Sequence, residues 1–223
     1  MTRLVIFDVD GTLVDSQAHI VAAMTAAFEA VDLTPPSRDR QLAIVGLSLP
    51  YAIAELAPEA DTATQAEIVE NYKRVFHELR MAQGAAASPL FDGAEEAVRR
   101  LGARDDTLLA IATGKSRRGL NALMADWDFS DLFISDQCAD DHPSKPHPSM
   151  VQTCMADAGV SAAETVVVGD TTYDMEMARA ARCTGLGVDW GYHGASALRE
   201  VGAVDVLHDF SQIDAALDTI FKG

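Results

Sequence analysis

Apolar runs and helical faces alternate along most of the chain. Leu4-Val5-Ile6-Phe7 is an unbroken apolar run that stops at acidic and glycine residues, the pattern of a strand buried on both faces. Similar runs recur at 108–112, 132–134 and 165–168, with weaker ones at 186–188 and 204–207. Helical stretches are predicted between and after them, at 93–101, 116–125, 148–158, 174–182 and 211–221. Strand and helix in alternation predict an α/β fold, a doubly wound parallel sheet with helices on both faces.

Residues 16–88 break that rhythm. Ile20, Met24, Phe28 and Val31 mark one apolar helical face, and Val69, Tyr72, Phe76 and Leu79 mark another. Pro35-Pro36 is expected to stop the first helix, and Gly46 to Pro50 reads as a turn. No strand is expected there. The predicted organisation is a core of residues 1–15 and 89–223, interrupted by a small helical unit at 16–88, with Ala85 to Ala87 as a linker.

Composition narrows the partners. With 17 basic against 34 acidic residues the formal net charge is -17, which argues against nucleic acid, because phosphate backbones are held by many Lys and Arg. No apolar stretch approaches the roughly 20 residues of a membrane span. Three cysteines without metal-ligand spacing suit a reducing compartment, so a cytoplasmic protein is expected. Oligomeric state is not readable from the sequence.

The candidate chemistry sits just after the apolar runs, where parallel sheets bind ligands. Asp8 and Asp10 follow the first run, with Gly11 allowing the chain to turn away. Asp170 and Asp174 follow the run at 165–168 in the same manner, and Asp174 also stands where it can cap a helix. Carboxylates gathered from separate strand ends repel one another unless a cation relieves them, and hard oxygen ligands with room for phosphate suit Mg²⁺. Thr113-Gly114 supplies a hydroxyl and a backbone N–H at a helix start, a ready anion site. Lys145 is one of only four lysines and precedes another predicted helix. His19 and His193 lie near these loops in sequence without an assigned part.

These four segments, in this order, resemble the motifs of the haloacid dehalogenase superfamily, and the resemblance spans the chain. Pro89 to Gly93 and Gly187 to Tyr192 are similar to its phosphoglycolate phosphatase-like branch, and the insert at 16–88 resembles its helical cap. The resemblance implies a phosphatase in which Asp8 is the nucleophile, forming an aspartyl-phosphate, and Asp10 is the general acid and base. It implies that Thr113, Gly114 and Lys145 bind the phosphoryl oxygens, and that Asp8, the carbonyl of Asp10 and Asp170 bind Mg²⁺. Asp174 would assist through water or by holding Lys145. The implied partner is a small phosphorylated metabolite, with 2-phosphoglycolate as the first candidate. Its carboxylate would be read by N–H groups of the 46–48 turn and by a base among Arg38, Arg40, Lys73, Arg74 and Arg80. A sugar-phosphate mutase or a pyrophosphatase would share these core residues. A receiver-type phospho-acceptor domain is the alternative of another class; it needs neither a second acid at position 10 nor a cap.

Overall fold

The computed structural model describes residues 2–222, less the side chain of residue 85. Six strands, β1 (Arg3–Phe7), β2 (Thr107–Thr113), β3 (Phe133–Cys138), β4 (Thr165–Gly169), β5 (Thr184–Val188) and β6 (Ala203–Leu207), form one sheet in the order β3-β2-β1-β4-β5-β6. All five strand pairings are parallel, as the unbroken apolar runs require.

Successive residues of the central strands enter opposite layers. Val5 and Phe7 join Leu109, Ile111, Val166 and Val168 in one apolar core, while Leu4 and Ile6 join Ala110, Ala112 and Val167 in the other. Helices α5 (Ala94–Gly102), α6 (Arg117–Met124) and α10 (Ile213–Lys222) contribute side chains to the first layer. The second is covered by α7 (Ser149–Ala158) and α8 (Thr172–Ala180). From β1 the chain builds β2 and β3 on one side, then crosses to β4 on the other. The strand order therefore reverses between β1 and β4, which opens a crevice beyond their carboxyl ends.

Between β1 and α5 lie four helices, α1 (Gln17–Glu29), α2 (Arg38–Ala43), α3 (Leu49–Leu56) and α4 (Thr62–Gln83). They bury an apolar cluster of their own, with Met24, Phe28, Ile53, Leu56 and Ile68 at its centre. Several details differ from the expected pattern. Helix α1 ends at Glu29, ahead of the prolines, where Asp32 takes a positive φ of 57°. The stretch at 46–50 is a turn that runs into α3, with Pro50 at the second helical position, where no N–H is missed. Residues 84–87 form a short 3₁₀ turn. Helix α9 (Ala195–Glu200) was not expected, because it is only six residues long and buries just Leu198. No helix among the described residues is long and apolar enough to cross a membrane.

Candidate active site

The ladder of β1 continues to Asp8, whose N–H donates to Val168 O at 2.9 Å, so a backbone bond to β4 fixes the first acidic residue. Gly11 then turns with φ +84°, and any Cβ there would come within 2.2 Å of Asp170 Oδ2. Only glycine permits that turn and that approach together. Asp8, Asp170 and Asp174, all buried, bring one carboxylate oxygen each to within 4.8 Å of one another.

Lys145 is fully buried and reaches into this group. Its Nζ donates to Asp174 Oδ1 at 2.7 Å and lies 2.8 Å from Asp8 Oδ1. Asp174 is held in turn by Thr171, whose N–H and hydroxyl both donate to Oδ2, at 3.1 and 2.6 Å. Both Asp174 oxygens are thus taken by protein donors. Of its two expected parts, holding Lys145 is the one with direct contacts. Asp170 accepts from the Thr12 hydroxyl at 2.9 Å and from the Tyr192 N–H at 2.8 Å.

The electrostatics show an unbalanced site. Burial lifts the Asp8 pKa to about 7; Lys145 opposes that rise, while Asp174 and Asp10 add to it. Asp170 is pushed well above the usual carboxylate range, first by burial and then by Asp174 and Asp8. Burial works against the Lys145 ammonium, but Asp174 and Asp8 outweigh it and raise its pKa. One lysine does not compensate three buried carboxylates, and Asp8 Oδ2 has no hydrogen-bond donor among the described residues. A small hard cation fits that donor set, with Asp8 and Asp170 as its carboxylate ligands and Asp174 supporting the arrangement.

Asp10 stands apart from this trio, at the floor of a cavity of about 450 Å³ that also reaches Asp8. Lys115 Nζ donates to both Asp10 oxygens, at 2.7 and 2.9 Å, and the Ser16 hydroxyl donates to Oδ1 at 2.6 Å. The Tyr192 hydroxyl lies 3.0 Å from Ser16 Oγ, and since Ser16 donates to Asp10, Tyr192 donates to Ser16. One tyrosine therefore touches Asp170 through its backbone and Asp10 through Ser16. Neither Lys115 nor Tyr192 was expected. A scarce lysine two residues after Thr113 was the available signal for Lys115; for Tyr192 it was the resemblance of Gly187 to Tyr192, which marked the segment but not the contacts of its last residue.

Thr113 and Gly114 line the same cavity. A side chain on Gly114 would come within 2.5 Å of Gly46 O and 2.9 Å of Leu47 O, so glycine lets the helical insert close onto the core here. Lys145 reaches the site from beneath, through the carboxylates, and is not among the cavity-lining residues. His19 is buried against the edge of Phe76, with ring centroids 6.4 Å apart. His193 bridges the two parts: its Nδ1 accepts from the Thr172 N–H at 3.0 Å, and its Nε2 donates to Ala43 O at 3.1 Å.

The 46–48 turn departs from expectation. The Leu47 N–H donates to Ile44 O at 3.2 Å, and the Ser48 N–H donates to Ser144 Oγ at 2.8 Å. Those two donors are occupied by the turn itself and by docking to the core.

Comparison with known proteins agrees with this geometry. The haloacid dehalogenase-like hydrolase family model matches residues 5–188. A protein of Dickeya dadantii named "Probable phosphatase IndB" is 36% identical over 229 residues, covering 100% of this chain and 96% of that protein. A phosphoglycolate phosphatase of Photorhabdus laumondii is 27% identical, covering 95% and 90% of the two chains. The crystal structure of a hydrolase from Pseudomonas syringae superposes with a TM-score of 0.85 at 26% identity and covers 99% of both chains. The chain is therefore a member of the haloacid dehalogenase-like hydrolase family.

Proposed function

We propose that the protein is a Mg²⁺-dependent phosphatase that hydrolyses a small phosphomonoester through an aspartyl-phosphate. The observation that carries this reading is the pairing of Asp8 with Asp10: one carboxylate buried among charges, the other two residues on and open to the same cavity. Asp8 attacks phosphorus, and Asp10 protonates the leaving oxygen and later takes a proton from the attacking water. Thr113 and the Gly114 N–H hold phosphoryl oxygens from the cavity side. Lys145 fixes Asp8 from beneath and offsets its charge. Asp8, Asp170 and the carbonyl of Asp10 hold the metal, which supplies the positive charge that lets a phosphate dianion approach carboxylates. Residues 16–88 act as a cap that separates the reaction from bulk solvent while leaving room for the one water it consumes.

The names of the two relatives above support a phosphatase, and that of the Photorhabdus protein makes 2-phosphoglycolate the first substrate to test. A small phosphorylated metabolite is the partner this reading requires.

The test combines turnover with trapping. Sustained phosphate release from p-nitrophenyl phosphate in Mg²⁺, abolished by chelator and restored by the metal, is expected. Borohydride quenching during turnover should convert Asp8 to homoserine, read by mass spectrometry. A single stoichiometric phosphorylation without turnover would instead mark a receiver-type acceptor, and modification at another residue would overturn the nucleophile.

A further inference from the structure

We infer that the preferred substrate carries a flat, largely apolar ring beyond its ester oxygen, which the cap side of the cavity receives. This inference rests on the phosphatase reading of the site and specifies what the phosphate is attached to.

The cap is docked in this structure. Ser48 N–H donates to Ser144 Oγ, Arg80 donates to Ala122 O and pairs with Asp126 at 2.7 Å, and the Gly46 carbonyl lies against Gly114. With those contacts in place a cavity of about 450 Å³ remains. That volume falls within the roughly 300–1,000 Å³ of sites for drug-sized ligands, far more than a phosphate with two further carbons fills. Much of its cap-side lining is apolar and aromatic, with Ile20, Met24, Leu47, Leu49, Tyr72 and Phe76 beside the polar Ser48, Lys73, His77 and Arg80. Tyr72 and Phe76 stack, with ring centroids 5.7 Å apart. Apolar space left empty forfeits contacts that a ring would make.

The polar groups point the same way. A short carboxylated substrate needs a free cation or N–H donors close to the phosphate. Each of the five cap bases expected to serve is engaged: Arg38 with Gln17, Arg40 with Glu55 O, Lys73 with Glu70, Arg74 with Glu78, and Arg80 with Asp126. Lys115 is held by Asp10. The 46–48 turn presents the Gly46 and Leu47 carbonyl oxygens toward Gly114, and these are acceptors that disfavour a carboxylate. His77 and Arg118 also line the cavity, Arg118 without an ion-pair partner among the described residues, but both are exposed, where pairing with a carboxylate contributes little.

The test is a panel of esters of primary alcohols, so that leaving-group reactivity does not imitate recognition. Benzyl phosphate, 2-phenylethyl phosphate and pyridoxal 5′-phosphate are set against glycerol 3-phosphate and 2-phosphoglycolate, each in Mg²⁺. At least one ring ester is expected to exceed both short esters by about tenfold or more in kcat/KM. Phe76→Ala and the better-tolerated Tyr72→Leu should each reduce that ratio several-fold. Equal or greater kcat/KM on 2-phosphoglycolate or glycerol 3-phosphate overturns the inference while leaving the phosphatase reading intact. If no ester, p-nitrophenyl phosphate included, is hydrolysed, the phosphatase reading falls. Calorimetry of the same ligands on the wild-type protein in Mg²⁺ then decides by affinity order: tighter ring esters uphold the preference, and tighter short esters remove it.

Discussion

The two walls of the cavity are built on opposite rules. On the core side, charged groups are fixed by a backbone ladder and by mutual hydrogen bonds, as at Asp8, which lines the cavity, and at Asp174 and Lys145 behind it. On the cap side, helices and one turn present side chains with few polar atoms, as at Met24, Tyr72 and Phe76. The core wall concentrates uncompensated charge, and the cap wall offers surface to be covered. The difference separates two kinds of selectivity: the core determines which bond is broken, and the cap determines which molecule brings it.

Changes in the core wall should therefore reduce rate on every substrate alike. Asp8→Asn removes the attacking carboxylate at almost constant volume, and a loss of about 10³-fold or more is expected. That loss should be the same within a few-fold for p-nitrophenyl phosphate and for the best natural ester. Strongly unequal losses would show that Asp8 also reads the substrate and would break the division.

Lys115 stands on the boundary, bonded to Asp10 and lying 5.3 Å from the centroid of the Phe76 ring. Lys115→Met frees Asp10 from its one cationic contact among the described residues, so kcat should fall about tenfold or more on alkyl esters and less on an aryl ester, which needs little protonation. Lys115→Arg should recover part of it. A rise in KM with kcat unchanged would assign Lys115 to substrate binding and move the boundary toward the core.

The smallest effect is on stability, and it belongs to the core wall alone. Asp8 has a folded pKa of about 7 against an ordinary value of 3.8, so the folded state holds a proton that the unfolded chain releases. That contribution is fully present below about pH 4 and is lost as the pH rises through about 7. In chelator, Tm should fall across this window by more in the wild-type protein than in Asp8→Asn. Added Mg²⁺ should recover most at the upper end. A window with the same slope in both proteins would show that Asp8 is already compensated without the metal.

The sheet and its acidic ends were legible because parallel strands buried on both sides leave uninterrupted apolar runs, and because Asp8, Asp10, Asp170 and Asp174 follow two of them directly. Edge strand β3 was only partly legible, since Asp136 and Gln137 interrupt its apolar pattern where one side is less buried. The turn at 46–48 was located, but its N–H groups could not be followed to Ile44 and Ser144, one of them nearly a hundred residues away. Lys115 has the composition of a surface residue and becomes notable only when Asp10 lies beside it. The apolar lining of the cap was visible as helical faces, yet the same periodicity describes core packing and a cavity wall.

Much of the contact between cap and core runs through the cap's main chain. Ala43 O accepts from Tyr173 and His193, Ser48 N–H meets Ser144, and Gly46 O rests against Gly114. Main-chain atoms are the same whatever amino acid supplies them. The cap's inward-facing side chains can accordingly be exchanged while these footholds persist, which makes the lining a replaceable fitting on a permanent mount. A scaffold arranged in this way can drift from one metabolite to another by a few substitutions, with its hydrolytic apparatus left untouched.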